Sequence, residues 1–74
     1  MKASKQLQLA RSEAAEFNEF HPVGSPVEFE DAGASKIGRT LGQAEVFAST
    51  AVVRIDSADG MVALSHVKPI LEAA

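Results

Sequence analysis

The first 20 residues carry apolar side chains at the spacing of an α-helix. One face holds the residues at i, i+3, i+7 and i+10, which are Leu7, Ala10, Ala14 and Phe17. Residues 4–19 contain no Gly or Pro and are rich in strong helix formers. His21 precedes Pro22, and the residue before a proline is pushed out of the α region. The pattern therefore predicts an N-terminal helix of about four turns with one narrow apolar stripe.

After the proline, the apolar positions fall in short runs separated by Gly, Pro, Asp and Ser, which is typical of a small antiparallel β domain. Val27 and Phe29 alternate with their neighbours and predict a first strand with one buried face. Residues 31–35 are small and polar and predict a loop. The next apolar positions, which supply one or two middle strands, are Ile37, Leu41, Val46 and Phe47. Gly38 and Gly42 interrupt these strands.

The strongest strand signal lies in the last third of the chain. Residues 51–55 are dense in β-branched side chains, and residues 61–64 are apolar. Between them, residues 57–60 predict a hairpin turn, with Gly60 placed for a positive φ. The two runs are therefore predicted to pair as an antiparallel hairpin. The core members predicted here are Val53, Ile55, Val62, Leu64 and Val67.

Composition indicates the size of the fold and the cellular compartment in which it occurs. Of the 74 residues 46% are hydrophobic, but 13 are alanine, so one small domain of marginal stability is expected. The lack of cysteine excludes a disulfide framework and thiolate metal sites and favours a reducing compartment. The longest apolar run, residues 61–64, is far shorter than a membrane span or a signal-peptide core. We therefore expect a cytoplasmic protein.

Charge is unevenly distributed along the chain. The formal net charge is −3, and because residues 1–20 are balanced, the excess of carboxylates lies in residues 21–74. The basic residues of that part are scattered singly: Lys36, Arg39, Arg54 and Lys68. Nucleic-acid binding depends on clustered Lys and Arg, so a nucleic-acid partner is disfavoured. Glu28 and Glu30, followed by Asp31, predict an acidic strand edge that hinders edge-to-edge pairing.

The string GMVALSHVKPI, residues 60–70, resembles the end of SH3-like barrels, in which a glycine opens a strand and a short 3₁₀ turn leads into the last strand. The resemblance implies that Ser65 and His66 lie in that turn. It also implies that Val67 and Ile70 point into a barrel.

The strings HPVGSPVEF, GRT and AVVRIDSADGMVALSHVKPI extend the resemblance. They are similar to small SH3-like proteins carried by phages, prophages and related mobile elements, over residues 21–70. The fold class implied is mainly β, with an N-terminal α-helix over residues 1–20 and a small SH3-like barrel over residues 21–74. The resemblance implies no activity.

Two better understood SH3-like groups differ from this sequence at their functional residues. Peptide-binding SH3 domains bind polyproline with Trp and Tyr, and this chain has neither. Ala63 and His66 stand where such domains usually have Pro and Tyr. Type II dihydrofolate reductases, which are tetramers, carry the motif VQIY, and residues 62–65 here read VALS. Since Ala63 and Ser65 replace the Gln and Tyr, the resemblance to this group does not extend to its activity.

Other patterns that suggest chemistry lack their structural context. Residues 33–40, GASKIGRT, differ from a phosphate-binding GxxxxGK[ST] loop at one position, but such a loop needs a strand, a helix and a large α/β sheet. His21 and His66 have no metal-ligand spacing with each other, and Asp56 and Asp59 fit a hairpin turn better than a metal site. We predict no catalytic, cofactor or metal site.

The helix stripe is the remaining candidate for function. The predicted protein-binding residues are Leu7, Ala10, Ala14 and Phe17. The stripe is too rich in alanine for a coiled-coil seam. Docking on the protein's own barrel or on a second copy is favoured over a different partner, because a small core gains most by burying its apolar surface. We expect the helix to serve both purposes, with Phe17 and Phe20 anchored on the barrel and Leu7 available for assembly.

The function predicted from the sequence is that of a non-enzymatic protein-interaction module. It would be an accessory protein of a phage or mobile element that binds a host or self component, with a homo-oligomer as one form. The alternatives are a small oligomeric enzyme of the type II dihydrofolate reductase kind and a weak nucleic-acid binder.

Overall fold

The described chain, residues 5–70 of a computed structural model, folds into one α-helix followed by six short strands. Helix α1 spans Lys5–Phe20. The strands are β1 Pro26–Asp31, β2 Ala34–Arg39, β3 Glu45–Phe47, β4 Thr50–Arg54, β5 Met61–Ala63 and β6 Val67–Pro69. A 3₁₀ turn, Leu64–His66, connects β5 to β6, so Ser65 and His66 lie where the resemblance places them. The predicted helix is confirmed, except that Ser4 lies outside the described residues.

The strands form two small antiparallel sheets, with orders β2-β1-β6 and β3-β4-β5. Thr40, just after β2, pairs with Ile55, just after β4, so the end of β2 reaches the second sheet. Within residues 5–70 the two sheets do not close into one continuous barrel. The fold is mainly β with an N-terminal helix, as predicted, while the SH3-like barrel stays a prediction.

Both sheets and the helix contribute to one hydrophobic core. Its buried members are Ala10, Ala14, Val27, Phe29, Ala44, Ala51, Val53 and Ile55. The predicted alternation of the first strand is confirmed, because β1 buries Val27 and Phe29. Of the predicted core members in the last third, Val53 and Ile55 are fully buried. The other three are half-buried and pack against the core: Val62, Leu64 and Val67.

Ile70 does not point into the core as the resemblance implied, because its side chain is exposed. Val67 begins β6 and packs inward. Side chains alternate along a strand, so residues three positions apart lie on opposite faces. The backbone N–H of Ile70 still extends the sheet by donating to the carbonyl of Pro26 at 3.0 Å.

The predicted hairpin in the last third is confirmed. β4 and β5 pair antiparallel, with Val53 opposite Val62 and Arg54 opposite Met61. Gly60 closes the turn with a φ of +90°, the left-handed region that glycine adopts without a steric penalty. Leu64 belongs to the 3₁₀ turn instead of the strand.

Residues 31–35 do not form the predicted loop. Asp31 pairs with Ala34, so the turn between β1 and β2 consists of Ala32 and Gly33 alone. Both have a positive φ, 53° and 80°, as in the type I′ turns that join hairpin strands tightly. The prediction was wrong because pairing with β1 holds small residues in a strand despite their low strand propensity.

The free edge of β2 is covered by the turn that follows β4. A carboxylate oxygen of Asp56 accepts a hydrogen bond from the backbone N–H of Arg39 at 2.9 Å. The hydroxyl of Ser57 donates to the carbonyl of Ile37 at 3.0 Å. A side chain at Gly38 would collide with Asp56 and Ser57, so glycine is needed for this close approach.

The apolar residues of the middle region mostly face solvent. Ile37 lies in β2, Phe47 in β3 and Leu41 between them, and all three are exposed. Half-buried Val46 packs against the core. The middle strands are therefore present, but most of their apolar side chains do not stabilise the core.

Candidate functional site

Helix α1 packs on the protein's own strands through its predicted stripe. Ala10 and Ala14 are 3% and 6% exposed, and half-buried Phe17 packs against the same core. Because alanine is small, the helix can approach β3 and β4 closely. Leu7 is half-buried. The structure shows docking of the helix on its own fold, and the two alanines are covered while the helix is docked. As a partner surface, the stripe stays a prediction.

The side chain of Asn18 connects the helix to the segment before β3 through two hydrogen bonds. Its amide nitrogen donates to the carbonyl of Ala44 at 3.0 Å, and its amide oxygen accepts from the N–H of Ala44 at 2.6 Å. The amide therefore pairs with both backbone groups of one residue, as a neighbouring strand would. We call Ala10, Ala14, Phe17 and Asn18 the docking face.

A neighbouring flank of α1 carries a second row of residues that the docking face does not include. These residues lie at i, i+4, i+7 and i+11 and are Leu9, Glu13, Glu16 and Phe20. Leu9 is 62% exposed and Phe20 is 66% exposed. The expectation that Phe20 is anchored on the barrel is therefore wrong, because its position on the helix lies beside the docking face and not within it.

Two hollows follow this flank. The first, of about 240 Å³, is lined by Glu13, Glu16, Phe17, Phe20, His21, Leu64 and Pro69. The second, of about 150 Å³, is lined by Gln6, Leu9, Ala10, Glu13, Ser49, Thr50, Ala51 and Ser65. They share Glu13, and their opposite walls include the consecutive residues Leu64 and Ser65. We therefore treat them as one helix-flank groove between α1 and the 3₁₀ turn, with Leu9 towards one end and Phe20 towards the other.

The groove combines apolar ends with an acidic middle. Near one end, the ring of Phe17 contacts the ring of His21 at 5.0 Å between centroids, which adds to the aromatic wall beside Phe20. Glu13 and Glu16 line the groove, and among the described residues no Lys or Arg lines it. Such a groove can bind apolar side chains at two points and cationic groups between them.

A second concavity, of about 340 Å³, lies on the outer face of the first sheet. Its lining includes the charged residues Glu28, Glu30 and Lys68, together with His66. Glu28 lies opposite Lys68 in the strand register and accepts a hydrogen bond from the hydroxyl of Ser35. Because β1 is the central strand of its sheet, the predicted acidic strand edge is wrong: these carboxylates lie on a sheet face.

The neighbouring ion pair belongs to the same hairpin. The Nζ of Lys36 lies 2.9 Å from a carboxylate oxygen of Asp31, and both side chains are about half exposed. The hydrogen bond to Asp31 and its charge raise the pKa of Lys36 above the ordinary value. Exposed pairs of this kind contribute little to stability.

The other sequence candidates have structural roles. Residues 33–40 form the end of a turn, strand β2 and then Thr40, with no helix after them. Thr40 is buried, and its hydroxyl oxygen accepts from the N–H of Gly24 at 3.0 Å. Within residues 5–70, no group of three or more His, Cys, Asp and Glu residues could hold a metal ion. His66 is exposed in the 3₁₀ turn.

The helix-flank groove was missed at the level of sequence because the alanine-rich stripe has the same period. A signal was present: Leu9 and Phe20 lie at i and i+11 on one helical face, and both are larger than the alanines of the stripe. Periodicity shows which residues share a face, but it does not show which of two apolar faces is covered.

No helix in the described part of the chain is long and apolar enough to span a membrane. No family model matches this sequence, and comparisons with curated proteins and with solved structures find no significant match.

Proposed function

We propose that this protein is a non-enzymatic protein-interaction module that binds a partner in the helix-flank groove. The observation that carries the proposal is the exposure of Leu9 and Phe20 beside a docking face made largely of alanine. Exposed apolar residues that line a groove are typical of interaction sites. A protein with so small a core would gain stability by burying these two side chains, so their exposure supports a role outside the fold.

An SH3-like scaffold is part of the proposal. Three features support it: two three-stranded antiparallel sheets, a strand end that pairs across to the second sheet at Thr40, and a 3₁₀ turn before the last strand. In this arrangement α1 covers part of the core beside β3 and β4. The resemblance to proteins of phages and mobile elements makes a host or self component the proposed partner.

The two alternatives have direct tests. A reductase of the type II kind would oxidise NADPH in the presence of dihydrofolate, which absorbance follows. We expect no turnover, since Ala63 and Ser65 replace the Gln and Tyr of the motif. A nucleic-acid binder would be retained on immobilised DNA or RNA in a salt-dependent way. We expect no retention, since carboxylates line the groove.

The proposal is tested by capture from a bacterial lysate with three versions of the protein: wild type, Phe20→Ser and Phe47→Ser. Phe47 is a matched control because it is also exposed, at 62%, and lies on β3 outside the groove. We expect wild type and Phe47→Ser to retain the same protein and Phe20→Ser to lose it. Equal capture by all three versions would contradict the proposal.

A further inference from the structure

We infer that the occupant of the helix-flank groove is an extended peptide segment of a partner protein, with two apolar side chains separated by Lys or Arg. The inference rests on the proposed function and specifies the chemistry of its partner. It is carried by the order of side chains along the flank: apolar Leu9, acidic Glu13 and Glu16, then apolar Phe20.

The distance between the apolar ends sets the spacing of the two anchors. Leu9 and Phe20 are 11 positions apart on one helix. At a rise of about 1.5 Å per residue their Cα atoms lie about 16 Å apart. An extended peptide advances about 3.3 Å per residue, so anchors about five residues apart reach both ends of the groove.

Charge complementarity determines what lies between the anchors. Glu13 and Glu16 are about one helical turn apart, and no Lys or Arg within residues 5–70 lines the groove. Basic side chains of a bound segment would pair with both carboxylates. An acidic segment would meet repulsion at the centre, which gives the groove selectivity as well as affinity.

The same charges argue against two other occupants. In a symmetric dimer each subunit presents the same patch, so the Glu13 and Glu16 pairs of both copies would meet at one interface. The chain's own residues 71–74, LEAA, contain an acidic residue and no basic one. Both occupants would add carboxylates to an acidic groove.

The test uses three synthetic peptides that share a Phe and a Leu five residues apart, with Lys, Gln or Glu between them. Binding to the full chain is measured by fluorescence anisotropy at low and moderate salt. We expect the Lys peptide to bind most tightly and to weaken with salt, because exposed charges are screened. The variant Glu13→Gln/Glu16→Gln should bind the Lys peptide about tenfold more weakly, which is the size expected for two exposed ion pairs.

A matched control distinguishes an effect of the groove carboxylates from an effect of the net charge of the protein. Glu28→Gln/Glu30→Gln removes the same charge from the outer face of the first sheet. We expect this variant to bind the Lys peptide as wild type does. The inference is overturned if the control variant weakens binding as much as the groove variant, or if the Gln and Glu peptides bind as tightly as the Lys peptide.

The remaining outcomes distinguish this inference from the proposed function. If light scattering shows a dimer that Phe20→Ser dissociates, the occupant is a second copy and the inference fails. If removing residues 71–74 creates the peptide affinity, that segment is the occupant and the inference fails. If the Lys peptide does not bind while Phe20→Ser still loses its lysate protein, the inference fails and the proposed function stands. If Phe20→Ser and Phe47→Ser capture equally, the proposed function itself fails.

Discussion

Two neighbouring faces of α1 differ from the usual pattern, in which the larger apolar side chains are buried. The docking face buries two alanines, whereas the flank exposes Leu9 and Phe20. Burying a Leu or Phe side chain stabilises a fold by about 1.5–3 kcal/mol, so the outward placement of both leaves a small core weaker than it could be. Stability and exposed apolar surface thus depend on different residues of one helix. Mutation can therefore separate them.

The largest effect is expected from a charge on the docking face. Ala14→Glu places a carboxylate in the core and should lower the free energy of unfolding by about 3 kcal/mol or more, because the charge is buried without a partner. Urea denaturation followed by circular dichroism measures this change. Ala15→Glu is the control, since Ala15 is exposed on the same helix and the same charge there should have little effect. Equal stability of the two variants would contradict the assignment of the docking face.

A smaller loss of stability is expected when the side-chain amide of Asn18, which binds the backbone of Ala44, is removed. Asn18→Ala removes both hydrogen bonds to Ala44 and should cost about 1–3 kcal/mol, because two partly buried backbone groups lose their partners. Hydrogen exchange of the Ala44 amide should become faster. Gln8→Ala, which removes an exposed amide from the same helix, should change neither the free energy of unfolding nor the exchange rate of the Ala44 amide. Slow exchange at Ala44 in the Asn18→Ala protein would show that another group satisfies it.

A substitution outside the helix should stabilise the scaffold, so that small effects on α1 can be measured. Ala32 has a φ of +53° in the β1–β2 turn, before Gly33. Ala32→Asn creates the Asn-Gly pair that type I′ turns favour, and we expect a gain of about 0.5–1 kcal/mol. Ala32→Val should instead destabilise the protein, since a β-branched residue fits this region poorly. Thermal melts of both variants test the turn, and a loss of stability on Ala32→Asn would contradict its assignment.

The smallest change in stability is expected on the flank. Leu9→Ser with Phe20→Ser should alter the free energy of unfolding by less than about 0.5 kcal/mol, because both side chains are already largely in solvent. Urea denaturation in the Ala32→Asn background measures this with a longer native baseline. A loss of about 2 kcal/mol would show that the flank belongs to the core and would remove the contrast between the two faces.

Local signals in the sequence predicted much of the fold. The helix Lys5–Phe20 and the alternation of Val27 and Phe29 follow from the periods of the two regular structures. The hairpin closed at Gly60 follows from a turn residue between two apolar runs. These features depend on residues that are close in the chain, so a local pattern is enough to find them.

Two errors in the β region have different origins, one in the local sequence and one in a distant strand. The predicted loop at residues 31–35 is a two-residue turn, Ala32 and Gly33, flanked by residues of β1 and β2, and Gly33 was a local turn signal. The acidic residue Glu28 lies within a sheet because β6 pairs with the other side of β1, with Lys68 opposite Glu28. The pairing of β1 with β6 has no signature in the local sequence, since strands that are distant in the chain are paired by the packing of the whole core.

Helix α1 shows most clearly which features local sequence predicts and which depend on tertiary packing. Local periodicity is enough to show that the segment is helical and that Ala10 and Ala14 share one face while Leu9 and Phe20 share another. The burial of the alanine face and the open groove lined by the larger side chains depend on the packing of the helix against distant strands. Hydrophobicity measures how much a side chain gains by burial, whereas the close approach of the helix to β3 and β4 depends on side-chain size and on the pairing of Asn18 with Ala44, 26 positions away.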